Sequence, residues 1–275
     1  MLRADVPEHG ARVASQTHPV IPGAEPWSHP GSGDRARIGV VVTHGFTGNP
    51  VSVRPLAQAV TDAGYRVEVP RLPGHGTHHK DMAQTRYGDW RAHLEEVVHD
   101  LAGHCEQIVL TGLSMGGTLS LDVGSRRQDV VRGIAPINTA ILDREGLLAR
   151  FAPYLAPVLP FVPAKAAGVI PNDIAKPGGD ERAYTMVPAK AANSMLSELP
   201  RIRQQLREVQ CPVLVLYSPQ DHTVPPKNSL ALEAMLGTDD VTVISLDRSY
   251  HVATLDWDAD LIASSLLTFI ERVTD

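Results

Sequence analysis

Six short runs rich in apolar residues, several of them nearly unbroken, punctuate this chain, and stretches with helical spacing lie between them. Ile38–Thr43, Tyr65–Pro70, Ile108–Thr111, Arg132–Ile137, Pro212–Tyr217 and Val241–Leu246 read as strands. Continuous apolarity is what a strand covered on both faces needs. Apolar residues at Val53, Leu56, Ala57 and Val60, stopped by Gly64, predict a helix over about 51–63. Trp90, Leu94, Val97, Val98 and Leu101 form a second helical stripe, Thr118–Arg127 another helical pattern, and Ile262, Leu266, Phe269, Ile270 and Val273 a final stripe. Strands alternating with helices imply a mostly parallel sheet flanked by helices. Right-handed crossovers then bring every strand's carboxyl end to one edge, where ligands bind.

One stretch departs from the alternation. Between Asn138 and about Gln210 there is no convincing strand, and nine prolines fall from Pro136 to Pro200. Apolar residues cluster there without sheet periodicity: Leu142, Leu147, Leu148, Phe151, Tyr154, Leu155, Val158, Leu159, Phe161, Val162, Val169 and Ile170. The expectation is a helical cap inserted after the Arg132–Ile137 strand, since insertions at the carboxyl edge carry function. Helices packed on the sheet are the alternative. Residues 1 to about 37 are rich in Pro, Gly, His and charge and read as a loose arm.

The chemistry centres on Gly112-Leu113-Ser114-Met115-Gly116-Gly117, between the Ile108–Thr111 strand and the following helix. Strand, Gly-x-Ser-x-Gly and helix together make a tight turn that presents the serine hydroxyl at a helix N-terminus. Glycines at 112 and 116 remove side chains that would collide across that turn. A serine hydroxyl needs a base, and the base an orienting acid, which follow the serine in the order acid, then histidine. Two histidines lie downstream. His251 follows the last strand, whereas His222 stands where the acid belongs, so His251 is the expected base. Asp221, one loop after Val213–Leu216, is the expected acid; Asp247 is a rival on the histidine's own loop. Asp256 and Asp258 read as N-caps of the final helix. The oxyanion needs two backbone donors: the Met115 amide, and one from the loop His44-Gly45-Phe46-Thr47-Gly48, where Phe46 is the natural choice. His75, His78 and His79 share a turn-rich loop without spaced acidic or cysteine partners, so no metal is expected.

Composition narrows the classes. The chain has 275 residues and a formal net charge of -6 without a basic run, which excludes an electrostatic footprint for nucleic acid. Its first residues carry charge rather than a continuous apolar stretch, so neither a signal peptide nor a membrane span is expected. Cys105 and Cys211 read as two free thiols of a reducing compartment, hence a cytoplasmic protein.

Taken in order, these blocks resemble the α/β-hydrolases. More narrowly, they resemble the bacterial monoacylglycerol lipases and small carboxylesterases. The resemblance runs from about Gly23 to the C-terminus and includes Gly74-His75-Gly76-Thr77, Asp221-His222-Thr223-Val224-Pro225-Pro226 and Ser249-Tyr250-His251-Val252-Ala253-Thr254. It implies an α/β-hydrolase core at 23–137 and 211–275, a cap at 138–210 and an additional arm at 1–22. It also implies a triad of Ser114, Asp221 and His251, with Phe46 and Met115 as oxyanion amides and no cofactor. Glu181, before Arg182-Ala183-Tyr184, and the apolar Ile170 match residues around the family's glycerol pocket. A solvated charge is the plainer reading of Glu181. The expected activity is cleavage of carboxylic esters, above all monoacylglycerols. A general carboxylesterase or thioesterase is the first alternative, and a non-catalytic ligand receptor the second. Lipid contact is expected to be transient, without a stable membrane anchor, and the protein a monomer or homodimer.

Overall fold

The structure is a computed structural model, and it describes residues 16–143 and 159–275. The strands are β1 (Trp27–His29), β2 (Ile38–Thr43), β3 (Arg66–Val69), β4 (Gln107–Leu113), β5 (Val131–Ile137), β6 (Phe161–Pro163), β7 (Met186–Pro188), β8 (Val213–Tyr217) and β9 (Val241–Ser245). The helices are α1 (Arg54–Asp62), α2 (His79–Met82), α3 (Tyr87–Ala102), α4 (Met115–Gly124), α5 (Ala189–Gln205), α6 (Lys227–Leu230) and α7 (Ala259–Thr274). Seven strands form one sheet in the order β1-β3-β2-β4-β5-β8-β9. All neighbours are parallel except β1 and β3.

Alternation along each strand sorts side chains to the two faces. Val40, Val42, Val109, Ala135, Leu214 and Leu216 pack against Leu56 and Val60 of α1 and Ile262, Leu266 and Phe269 of α7. Val41, Ile108, Leu110, Ile134 and Val215 point the other way, onto Trp90 and Leu94 of α3, Leu119 of α4, and Leu199 and Ile202 of α5. Helix α4 is buried along its whole length, which is why its sequence is apolar and small all round rather than striped.

Two expectations are corrected. The arm is not loose throughout: Trp27–His29 pairs antiparallel with β3, Trp27 opposite Val69. Thr17 and His18 are tied to Asp81, the imidazole Nδ1 donating at 2.8 Å. A three-residue strand is too short to leave a period in sequence.

The described part of the stretch between β5 and β8 also differs from the expectation that it holds no strand. Within its described part, β6 and β7 form a two-stranded antiparallel ribbon joined by an irregular loop. The long helix among its described residues, α5, lies on the core, burying Ala191, Met195, Leu199 and Ile202 at helical spacing. Arg201 of α5 grips Asp122 of α4 bidentately at 2.8 and 3.0 Å, and the Tyr87 hydroxyl donates to the same carboxylate at 3.1 Å. Burial pushes the Asp122 carboxyl up, but Arg201 and then Arg126 outweigh it and hold it below its ordinary value. So the packed-helix alternative holds from residue 189 onward. Of the apolar residues expected in the cap, Leu147, Leu148, Phe151, Tyr154, Leu155 and Val158 lie outside the described residues.

Candidate active site

Ser114 sits between β4 and α4 with φ 55° and ψ −118°, a left-handed backbone that a serine holds only under constraint. A Cβ at Gly112 would stand 2.4 Å from the Gly116 carbonyl carbon, and one at Gly116 would stand 2.2 Å from the Thr43 carbonyl oxygen. Both positions therefore exclude any side chain, and the turn is as tight as the sequence implied. Ser114 is buried at the start of α4, where the partial positive charge of the helix end favours a developing oxyanion.

His251 and Asp221 meet. His251 Nδ1 lies 2.7 Å from Asp221 Oδ2, and Asp221 Oδ1 accepts the Thr223 and Val224 amides at 2.8 and 2.7 Å. With Nδ1 donating to the carboxylate, the lone pair is left on Nε2. Burial alone would lower the imidazole's pKa. The Asp221 carboxylate, then Glu181 and Asp173, outweigh it and raise it. Asp247 accepts from Ser245 at the surface, and the His222 ring lies on Asp173; neither enters the pair.

Ser114 and His251 are each tied to the end of β5. The Ser114 amide donates to the Ile137 carbonyl at 2.8 Å, and the next residue, Asn138, donates from Nδ2 to the His251 carbonyl at 2.8 Å. Asn138 also pairs with Ser218 at the end of β8, Oδ1 accepting its amide at 2.7 Å and Nδ2 donating to its hydroxyl at 3.0 Å. Its φ of 46° is tolerable because asparagine enters the left-handed region readily. A polar residue closing an apolar strand was the one sequence signal available for it.

The loop carrying Phe46 closes over Ser114, for a Cβ on Gly45 would stand 3.3 Å from Ser114 Cβ. Among the described residues, neither the Phe46 amide nor the Met115 amide has a hydrogen-bond acceptor. The insertion clamps this loop: the Tyr184 amide donates to the Thr47 carbonyl, and Asn49 Nδ2 donates to the Glu181 and Arg182 carbonyls, all at 3.0 Å.

Glu181 comes into the site rather than facing solvent. It is buried, its Oε1 accepts the Asn172 amide at 3.0 Å, and its Oε2 lies against Gly48. Burial raises its pKa, against the pull of that amide and of His251. Ile170 is half-buried beside the acid's loop, its amide 3.4 Å from the Thr223 hydroxyl.

Asp256 and Asp258 do not cap the last helix with their side chains. Asp258 Oδ2 accepts the Arg248 amide and the Ser249 hydroxyl, each at 2.8 Å, while Asp256 accepts the Tyr250, Ala175 and Lys176 amides. These buried carboxylates shape the histidine's loop, and that demand outweighs capping. The histidines at 75, 78 and 79 serve packing: the His75 ring lies 5.1 Å from His44 and 5.2 Å from Trp90, and burial pushes its pKa down to about 4. His78 stacks on His18 at 4.4 Å. Cys105 and Cys211 are free thiols.

Comparison with known proteins gives the family. A family model described as Hydrolase_4, serine aminopeptidase, S33, matches residues 34–258. The chain belongs to this family of α/β-hydrolases. The hydrolase is 36% identical over 270 residues to the thermostable monoacylglycerol lipase of Bacillus sp. (strain H-257), a match spanning 94% of this chain and 98% of that one. It is 26% identical to a carboxylesterase of Bacillus subtilis (strain 168), covering 88% and 94% of the two chains. Among solved structures, it superimposes with a TM-score of 0.85 on one from a study of the metagenome-derived lipolytic enzymes LipS and LipT, at 37% identity. That match covers 92% of this chain and 100% of the other. Among the described residues, no helix of this hydrolase is long and apolar enough to cross a membrane.

Proposed function

We propose that the protein hydrolyses carboxylic esters through an acyl-enzyme on Ser114, and that monoacylglycerols are its preferred substrates. One arrangement carries most weight: the His251–Asp221 pair and the strained Ser114, joined through the Ile137–Asn138 dipeptide, with a buried carboxylate at Glu181 beside them. His251 takes the hydroxyl proton as Oγ attacks the ester carbonyl. The amides of Phe46 and Met115 receive the oxyanion, each such donor lowering the barrier by about 3 kcal/mol. His251 then gives the proton to the departing alcohol, and a water activated by the same imidazole releases the acid. Asp221 holds the tautomer and stabilises the imidazolium. The β5-to-α5 insertion acts as the cap, with Ile170 and Glu181 on the alcohol side.

Since the base works only as neutral imidazole, activity is lost as pH falls through its pKa. Three carboxylates favour the protonated form, so the acid limb of kcat/KM is expected to have its midpoint above 6.5, the ordinary value for histidine. A pH–rate series on a neutral ester reads it directly. A midpoint below 6.5 would show that burial dominates.

Glu181 gives the substrate test. A buried substrate hydroxyl left without its acceptor costs about 1–3 kcal/mol, or roughly 10–100-fold in rate. Glu181→Ala is expected to lower kcat/KM for a monoacylglycerol by about that factor while changing a nitrophenyl ester of the same acyl chain far less. Equal losses on both would remove Glu181 from the alcohol site. A profile over mono- and diacylglycerols, simple esters, acyl-thioesters and aminoacyl anilides tests the class. A flat response among the esters means a general carboxylesterase, and preference for an anilide means a peptidase.

A further inference from the structure

Asn172-Asp173, in the insertion, takes no step in the reaction described above, yet it touches both sides of the site. Asn172 takes a left-handed φ of 53°, and its side-chain oxygen accepts the Glu181 amide at 2.9 Å. That turn delivers Asp173 into the crevice between the acid's loop and the base's loop. Asp173 is 5% exposed. Its Oδ2 accepts the His251 amide at 3.3 Å and the His222 amide at 3.1 Å; its Oδ1 accepts His222 Nδ1 at 2.8 Å. Its own carbonyl accepts the Val252 amide at 3.0 Å. One buried carboxylate thus binds the backbone of the base and of the residue next to the acid. Those two loops come from different strands, 30 residues apart in sequence.

We infer that Asp173 is a positioning residue for the reaction: it sets the spacing of the Asp221 and His251 loops from within the cap, and so holds the imidazole in register. The inference rests on the reading of Ser114, Asp221 and His251 as the triad. A carboxylate is suited to this task because one oxygen can accept two amides at once, and each bond to an ionised acceptor is stronger than a neutral one. A surface anchor for the cap would need only the contact with the His222 ring, which is half exposed. The inward contact with the His251 amide is what an anchor would not require. The charged groups facing His251 are Asp221 from the loop after β8, and Glu181 and Asp173 from the insertion; all three are acidic.

The test compares three variants of the full chain on a soluble nitrophenyl ester, with thermal melts alongside. Asp173→Asn keeps the shape and removes the charge. It is expected to lower kcat by about tenfold or more, as small displacements of a base do, to leave KM within about twofold, and to move the acid limb of kcat/KM to lower pH. His222→Ala removes only a half-exposed contact, so kcat should stay within about twofold of the parent and the limb unmoved. Asp173→Glu keeps the charge and should leave the limb in place. A parent-like kcat and limb in Asp173→Asn would overturn the inference, as would a His222→Ala variant equally impaired. Should Asp173→Asn fail to fold, a shifted limb in Asp173→Glu overturns it and an unshifted limb supports it. Labelling of the parent by a fluorophosphonate separates the two readings: an unlabelled Ser114 would remove the triad itself, whatever Asp173 does.

Discussion

Ser114→Ala is expected to abolish ester hydrolysis, by about a million-fold in kcat. No other described group replaces the lost oxygen, because the only nucleophile the arrangement activates is the one at the start of α4. The Phe46 and Met115 amides and the proposed alcohol site at Glu181 remain, so the variant should still bind substrate and accelerate direct attack by water by about 10³-fold over solution. Initial rates with the substrate in excess measure the loss. Intact mass after fluorophosphonate treatment locates it: the parent gains one adduct and the variant none. Because the members of a catalytic triad work as a unit, the proposed roles of Ser114 and His251 imply that adding His251→Ala to Ser114→Ala should cost little more. A variant retaining a hundredth of the parent's activity would require a different nucleophile.

Gly116→Ala is the second large effect. In an ordinary helix the change would stabilise by about 1 kcal/mol. Here the added Cβ would stand 2.2 Å from the Thr43 carbonyl oxygen and 2.7 Å from that of His44. Both obstacles are backbone at the end of β2, so no rotamer change relieves them, and α4 must move away from the sheet. Overpacking of this kind costs about 3 kcal/mol, which outweighs the propensity gain. The net loss of about 2 kcal/mol should lower the melting temperature by roughly 3–6 °C. The movement also separates Ser114 from the loop carrying Phe46. A shift of about 1 Å can cost about a hundredfold in kcat. Thermal melts and kcat together decide: a stable, fully active Gly116→Ala would mean that the elbow is not packed against β2.

Much of this was written in local sequence. Unbroken apolar runs reveal strands covered on both faces, because nothing else needs Val40, Val41 and Val42 in succession. The serine turn was legible because its constraints are local: two glycines, a strand before and a helix after. The order of serine, acid and histidine then left few candidates, and Asp221 and His251 do meet at 2.7 Å.

What the chain alone left open depends on contacts between distant segments. Trp27–His29 becomes a strand only because β3 offers an edge, and α5 lies on the core where its apolar stripe finds a partner face and Arg201 reaches Asp122 of α4. Asn138, Asp173, Asp256 and Asp258 carry no motif; each is an ordinary polar residue until folding brings backbone amides or carbonyls from other loops within reach of its side chain. Local sequence therefore determined the strands, the nucleophile's turn and the chemical identity of the reacting groups. The tertiary structure decided how they are held, because a buried polar group finds its partners only when separate loops converge and water is excluded.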